Sequence, residues 1–318
     1  LADRSEENTL LIAGEKGGGK STTIHRLQEW LTAEHGDLNI RSVDIPAKII
    51  TAEAVATLLG AELNVDLSGG PAELVKTDGE RQPTVIILEN AHNFFLREVG
   101  GLAGWEALLS FTHARLSNIF WVISVNSQSW AYLSNVFGRD YQFSSVTYTR
   151  PWSLNDIRSL VLSRNQLSGF RIRYDSILLS TRGPEAGSIR NAEQLYFSLL
   201  WDACRGNPML ALQMWLGSIT VNRQIVTVGL PVEVNAAALE KLGEELHFVY
   251  AALVMHENMT SDELVAVTAI PHGVVRSALK TAFDTGFIER TILRRYRIVP
   301  LWYPAITKFL ARKNLLHE

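Results

Sequence analysis

Residues 9–23 read TLLIAGEKGGGKSTT. Leu10, Leu11 and Ile12 form a short apolar run of the kind that makes a buried strand, and from Thr22 onward the sequence favours helix. Between them lie Gly14, Glu15, Lys16, Gly17, Gly18, Gly19, Lys20 and Ser21, the spacing G-x-x-x-x-G-K-S of a phosphate-binding loop in its required strand-then-helix setting. Glycines let the main chain turn sharply and aim successive N–H groups at an anion lying at a helix N-terminus. Lys20 brings a point charge to the outer phosphates and Ser21 a hydroxyl for Mg²⁺. A glycine-rich turn that merely contains Lys-Ser is the bland alternative, and the match at every fixed position weighs against it. The stretch predicts a nucleoside triphosphate site built from Gly14 to Thr22, with ATP or ADP and Mg²⁺ as ligands. No Asn/Thr-Lys-x-Asp motif for reading guanine occurs, which favours adenine.

Working outward, apolar strands and helical stretches alternate. Residues 22–33 carry Ile24, Leu27, Trp30 and Leu31 at helical spacing; 40–45 reads as a strand and 52–59 as a helix. Residues 62–81 show no strong pattern and read as a variable excursion. Residues 84–88 and 119–125 are continuous apolar runs suited to the centre of a parallel sheet, with mostly helical sequence over 94–117, a helix over 127–137 and a last strand over 145–149. This alternation predicts an α/β fold, a parallel sheet with helices on both faces, whose ligand binds at the carboxyl ends of the strands. Residues 1–150 are the expected nucleotide-binding domain. Residues 151–234 read as a mainly helical lid with one short apolar run at 224–228. Residues 235–318 read as a third unit: helix at 246–259, helix at 262–268 started by Thr260-Ser261-Asp262-Glu263, turn, helix at 274–285, then two β-prone runs around Leu293 and Arg294. Helix, turn, helix and β-ribbon is the order of a winged helix.

Composition bounds the function without naming it. Of the 318 residues 47% are hydrophobic and 20% charged, an ordinary globular balance, and the net charge of −3 gives no global attraction to nucleic acid. The single cysteine, Cys204, cannot form an internal disulfide, which suits a reducing, cytoplasmic compartment. No apolar run reaches the ~18 residues of a membrane span. Because the first residue is Leu1, the chain reads as a piece of a longer one.

A second half of the site is expected opposite the loop. The apolar run 84–88 ends at Glu89, where an acid can share Mg²⁺ with Ser21. The run 119–125 ends at Asn126, whose amide could orient a water or touch the γ-phosphate; a plain turn former is the alternative. Arg139, past the next helix, could stabilise phosphoryl charge on a neighbouring subunit's nucleotide, or simply pair with Asp140. Near the end of the chain, Arg276 and Lys280 share one helix face, and Arg294, Arg295 and Arg297 would decorate the wing as phosphate contacts for DNA. A purely protein-binding winged helix is the competing reading, since the helix lacks the side chains that read base edges.

Together Gly14–Ser21, Glu89–Asn90, Asn126, Arg139 and the lid resemble the AAA-type and related STAND ATPases, in particular the initiator and transposition-regulator branch that ends in a winged helix. The resemblance implies an acid pair in which the first residue serves the metal and the second activates water. Here the pair reads Glu89-Asn90, and an amide cannot take that proton at neutral pH. Slow hydrolysis is therefore expected, unless Glu89 or His92 substitutes. The resemblance also places the turn Gly206-Asn207-Pro208 beside the nucleotide base, with Met209 where some members carry a sensing arginine, unless Arg205 supplies one. It implies a homo-oligomer or hetero-assembly completed through Arg139, acting as a nucleotide-dependent switch on DNA or a protein partner. The rival is a non-catalytic interaction module holding a permanent, structural nucleotide; an efficient motor would need the missing proton acceptor.

Overall fold

A computed structural model describes residues 8–138, 142–174, 189–231, 234 and 236–316. Five strands, β1 (Thr9–Gly14), β2 (Asn39–Asp44), β3 (Thr84–Glu89), β4 (Ile119–Asn126) and β5 (Ser145–Tyr148), form one parallel sheet in the order β2-β3-β4-β1-β5. The continuous apolar runs of β3 and β4 are buried along nearly their whole length because helices cover both faces. Alternate residues feed two cores. Leu11, Ile86, Leu88, Trp121 and Ile123 pack with α2 (Ala52–Leu63), α4 (Ala103–Thr112) and α5 (Ser127–Phe137). Ile12, Val85, Ile87 and Val122 pack against Ile24, Leu27 and Leu31 of α1 (Lys20–Glu34).

The expected excursion is more ordered than its sequence suggests. Gly70, at φ +81°, and Pro71 open α3 (Pro71–Asp78), and Leu67 and Leu74 enter the core. Asp78 at its end is buried, its carboxylate accepting the amide N–H groups of Ser117 (2.6 Å) and Asn118 (3.3 Å) ahead of β4. Two turns of helix are too short to print a periodicity. Conversely, the stretch 94–117 is helical only over α4, after a 3₁₀ turn Ala91–Phe94.

Beyond Pro151 the expected helical lid has a β component. Helices α6 (Leu154–Ser168, with a Ser153–Asp156 capping box), α7 (Ile189–Cys204) and α8 (Pro208–Ser218) pack with a three-stranded sheet, β6 (Arg171–Arg173), β7 (Ile219–Asn222) and β8 (Ile225–Val228), in the order β6-β8-β7. β6 is three residues, two of them arginine, and β7 is largely exposed, so only β8 carried a readable signal. The core here is separate: Ile157, Tyr196, Leu200, Leu210, Trp215 and Val226.

The last segment has the expected order of elements: α9 (Glu244–His256), α10 (Ser261–Thr268, with a Thr260–Glu263 capping box), α11 (His272–Asp284), an antiparallel ribbon of β9 (Ile288–Arg290) and β10 (Tyr296–Ile298), and α12 (Tyr303–Arg312). Val249, Leu253, Leu264, Leu279, Phe287 and Ile306 form its core. It docks on the sheet domain through the end of α9, where Ser129 donates a hydrogen bond to the Met255 carbonyl and Met255 joins the core of the parallel sheet. Among the described residues no helix is long and apolar enough to cross a membrane.

Candidate nucleotide site

The loop between β1 and α1 bends through Gly17 (φ +76°) and Gly19 (φ +101°), a backbone region that favours glycine. Gly17 also faces the lid: a Cβ there would lie 2.6 Å from Met209 Cβ and 2.9 Å from Asn207 Oδ1. Asn207 caps α8 through the N–H groups of Met209 and Leu210 and donates from Nδ2 to the Lys16 carbonyl (2.8 Å), so lid and loop are joined directly. The Lys20 ammonium is buried and folded back on its own loop, donating to the carbonyls of Gly14 (2.7 Å) and Glu15 (3.1 Å). Burial lowers the pKa of both Lys16 and Lys20, with Glu257 the strongest opposing influence on each.

Lys16, Gly17, Gly19, Lys20, Ser21 and Thr22 line a cleft of about 640 Å³. The lid adds Pro208 and Met209 to its wall, and the C-terminal segment adds Glu257. Arg205, the alternative to a missing sensing arginine, is exposed and does not line the cleft. The guanidinium that does is Arg164 on α6, which no sequence pattern singled out. Arg139 lies outside the described residues.

The strand order explains how the remaining groups assemble. β4 separates β1 from β3, and its last residue, Asn126, is level with Gly14. Asn126 is fully buried; its Oδ1 accepts the Gln128 N–H (2.8 Å), leaving its Nδ2 to donate to Glu257 Oε1 (2.9 Å). Glu89 ends β3 in register with Asp44 at the tip of β2. Asn90 has the left-handed backbone (φ +60°, ψ +36°) that asparagine tolerates best among side-chain-bearing residues. Its Nδ2 donates to Asp44 Oδ1 (2.7 Å). The Asn90 side chain is thus an amide committed to a neighbouring carboxylate. His92 also borders the cleft, but burial pushes its pKa down to about 3, which makes the ring a poor base at neutral pH. Ser21 and Asp44 line the cleft and carry hard oxygen donors of the kind that suits Mg²⁺ when phosphates and water complete its shell; Glu89, level with Asp44 on the next strand, does not line it.

The C-terminal cations divide. Arg276 and Lys280 are exposed on α11, and Arg294 is exposed in the ribbon turn at φ +57°. Arg295 is instead only 7% exposed, bonded to Glu263 and to the side chain and carbonyl of Asn258. Arg297 pairs with Glu289 (2.5 Å), and both act on the charge of Lys16, so this pair lies toward the phosphate loop. Arg295 therefore serves the packing of the ribbon and is not offered as a phosphate contact, and Arg297 is already paired.

A phosphate loop at the end of a central parallel strand, an acid two strands away and an amide on the strand between them define a P-loop nucleotide-binding domain. More narrowly, residues 3–127 match the family model of an AAA domain. Solved structures similar to the chain include ORC2 of Aeropyrum pernix (12% identity, 97% of this chain and 89% of that one, TM-score 0.41). Cdc6p of Pyrobaculum aerophilum (15%, 96% and 88%, TM-score 0.40) and PCH-2 of C. elegans (12%, 69% and 57%, TM-score 0.45) are similar as well. No curated protein matches the chain.

Proposed function

We propose that the chain is an ATP-dependent conformational switch that hydrolyses slowly, with nucleotide setting the relation between the sheet domain, the lid (151–234) and a winged-helix unit (235–318). The observation that carries this reading is the composition of one cleft. Its wall takes the phosphate loop from the first segment, Pro208 and Met209 from the second, and Glu257 from the third. A ligand entering there touches all three at once, which is what differential affinity between two arrangements requires.

In this reading the loop amides and Lys20 hold the phosphates, and Ser21 with Glu89 holds Mg²⁺. Asn126 orients whatever lies beyond the last phosphate. When bound, Mg²⁺ neutralises phosphate charge. Asn90 cannot accept a proton, so turnover is slow. The exposed Arg276, Lys280 and Arg294 form the output face, suited to a nucleic-acid backbone. The fully exposed Ile292 and the exposed Leu293 at the same ribbon tip favour a protein partner as the second reading. Assembly between copies of the chain through Arg139 belongs to the same proposal.

The test is calorimetric titration of the purified chain with ATP and ADP, in wild type and Lys20→Ala. Wild type should bind both and exchange them, and the variant should lose at least ~10-fold in affinity, the equivalent of one charge-assisted contact. Unchanged affinity in the variant refutes the site. A nucleotide that copurifies and never exchanges replaces the switch with a structural ligand.

A further inference from the structure

Glu257 has no part in the phosphate-loop chemistry described so far, yet its carboxylate occupies the cleft. The buried Asn126 accepts the Gln128 N–H at its Oδ1 and keeps its Nδ2 donors for another partner. The group found on those donors is Glu257 Oε1, at 2.9 Å. Lys20, Lys16 and Ser21 line the cleft that Glu257 enters, and both lysines act on its charge, so this carboxylate draws on two cations of the phosphate loop as well as the Asn126 amide. The charges agree with this. Burial alone would raise the Glu257 pKa, but His92, Lys20, Lys16 and the Asn126 bond together hold it at about 2, and the group is ionised.

The backbone is strained to achieve it. Glu257 has φ +60° and ψ −43°, outside the ordinary left-handed well and disfavoured for any residue with a side chain. The conformation persists because both flanks are pinned. The Met255 carbonyl accepts from Ser129, and His256 accepts the Arg97 N–H (3.4 Å) and lies 3.2 Å from Lys48 Nζ. On the other side Arg295 clamps Asn258, and Met259 pairs with Tyr296 of β10. The carboxylate is therefore mounted on the ribbon of the C-terminal segment.

We propose that Glu257 is the residue that sets the di- against triphosphate preference of this site, standing in for the terminal phosphate in the closed molecule and withdrawing, with the ribbon, when a triphosphate enters. The inference rests on the ATP-binding reading above. A diphosphate leaves the space beside Asn126 to the carboxylate. A triphosphate brings a second anion onto the same donors, and the two cannot share them at contact distance in a partly desolvated cleft. Because Glu257 is tied to Asn258 and Arg295, its departure moves the ribbon, and nucleotide state becomes readable at the far face.

The experiment measures the ratio of dissociation constants for ADP and a non-hydrolysable ATP analogue in wild type and Glu257→Gln, which keeps the side-chain shape and removes the charge. Wild type should favour ADP, and the variant should shift the ratio toward the triphosphate by at least ~10-fold, the lower range for removing one close like charge. An unchanged ratio overturns the proposal. A second measurement needs no variant: in wild type the triphosphate analogue should speed amide hydrogen exchange at residues 257–259 and 296–298, and ADP should not. Equal effects of the two nucleotides overturn it. If neither nucleotide binds wild type at all, the ATP-binding reading itself has failed; if both bind with the ratio unmoved, only the role of Glu257 has.

Discussion

Replacing Asn90 with glutamate separates chemistry from architecture. The change puts a proton acceptor at the end of β3, one residue beyond Glu89, and a positioned general base is worth ~10²–10⁴-fold in rate. The same substitution has a structural cost. Asn90 sits at φ +60°, where a longer side chain costs ~1 kcal/mol more than asparagine. The 2.7 Å bond from its amide to Asp44 is lost, and a second carboxylate is left beside the first. At ~4 Å two like charges cost ~1 kcal/mol in water and ~4 kcal/mol at the effective dielectric of a protein surface. The position is partly solvated, so a total near ~3 kcal/mol of lost stability is expected. That same repulsion raises the pKa of the new carboxyl toward the working pH and makes it a better base. The assay is phosphate release at saturating ATP, with denaturant unfolding measured in parallel. Asn90→Glu should turn over at least ~100-fold faster than wild type while unfolding earlier, and adding Asp44→Asn should recover much of the stability. Wild-type turnover already within the ~1–10³ s⁻¹ range of ordinary enzymes would refute the reasoning, as would a folded, ATP-binding variant no faster than wild type.

Gly17→Ala should weaken the junction of loop and lid, since the added methyl meets Met209 and Asn207 and the backbone is at φ +76°. A loss of ~2 kcal/mol or more in unfolding free energy, together with weaker ATP binding, is expected; a variant as stable as wild type would show that the loop does not bear on the lid. Acidification should loosen the contact between the sheet domain and α9. Burial lowers the pKa of His92 to about 3 from 6.5 and that of His256 in the same direction, so below pH 6.5 the unfolded chain takes up protons that the folded chain refuses. Stability therefore falls as the pH is lowered through this window, by up to ~2 kcal/mol from His92 between pH 6.5 and 5, with His256 acting in the same direction. Lys48, with its pKa lowered to about 7 from 10.5 by burial, has the same sign over the alkaline range, where stability rises with pH. Unfolding curves at pH 5, 7 and 9 check both, and equal or greater stability at pH 5 contradicts the assignment of these groups to a closed interface.

What the sequence disclosed and what it hid follow a physical division. The loop from Gly14 to Ser21 was legible because every position answers to one ligand. The strands β3 and β4 were legible because burial on both faces demands an unbroken apolar run. Glu89 and Asn126 could be placed because each ends such a run. Glu257 could not, since its relation to Asn126 spans 131 residues and nothing around Asn258 and Met259 marks a strained turn. Asp44 was hidden for a related reason: its role depends on strand register, which neighbouring residues do not encode. The lid sheet escaped notice because strands of three or four residues, two of them edges, leave little alternation. Arg295 was misjudged because a count of positive residues cannot tell an exposed guanidinium from one enclosed by a glutamate and an asparagine.

Two helices, α1 and α8, begin at the same cleft, one with Lys20 and Ser21 and the other with Pro208 and Met209. Each contributes the partial positive charge of a helix start, about half an elementary charge. An anion bound there would be held by both helix starts, so the ligand's charge would add to the Asn207–Lys16 contact as an adhesive of the lid. High ionic strength should weaken that attraction and let the lid swing wider, a change visible as a larger radius in small-angle scattering; a radius indifferent to salt would remove this role from α8.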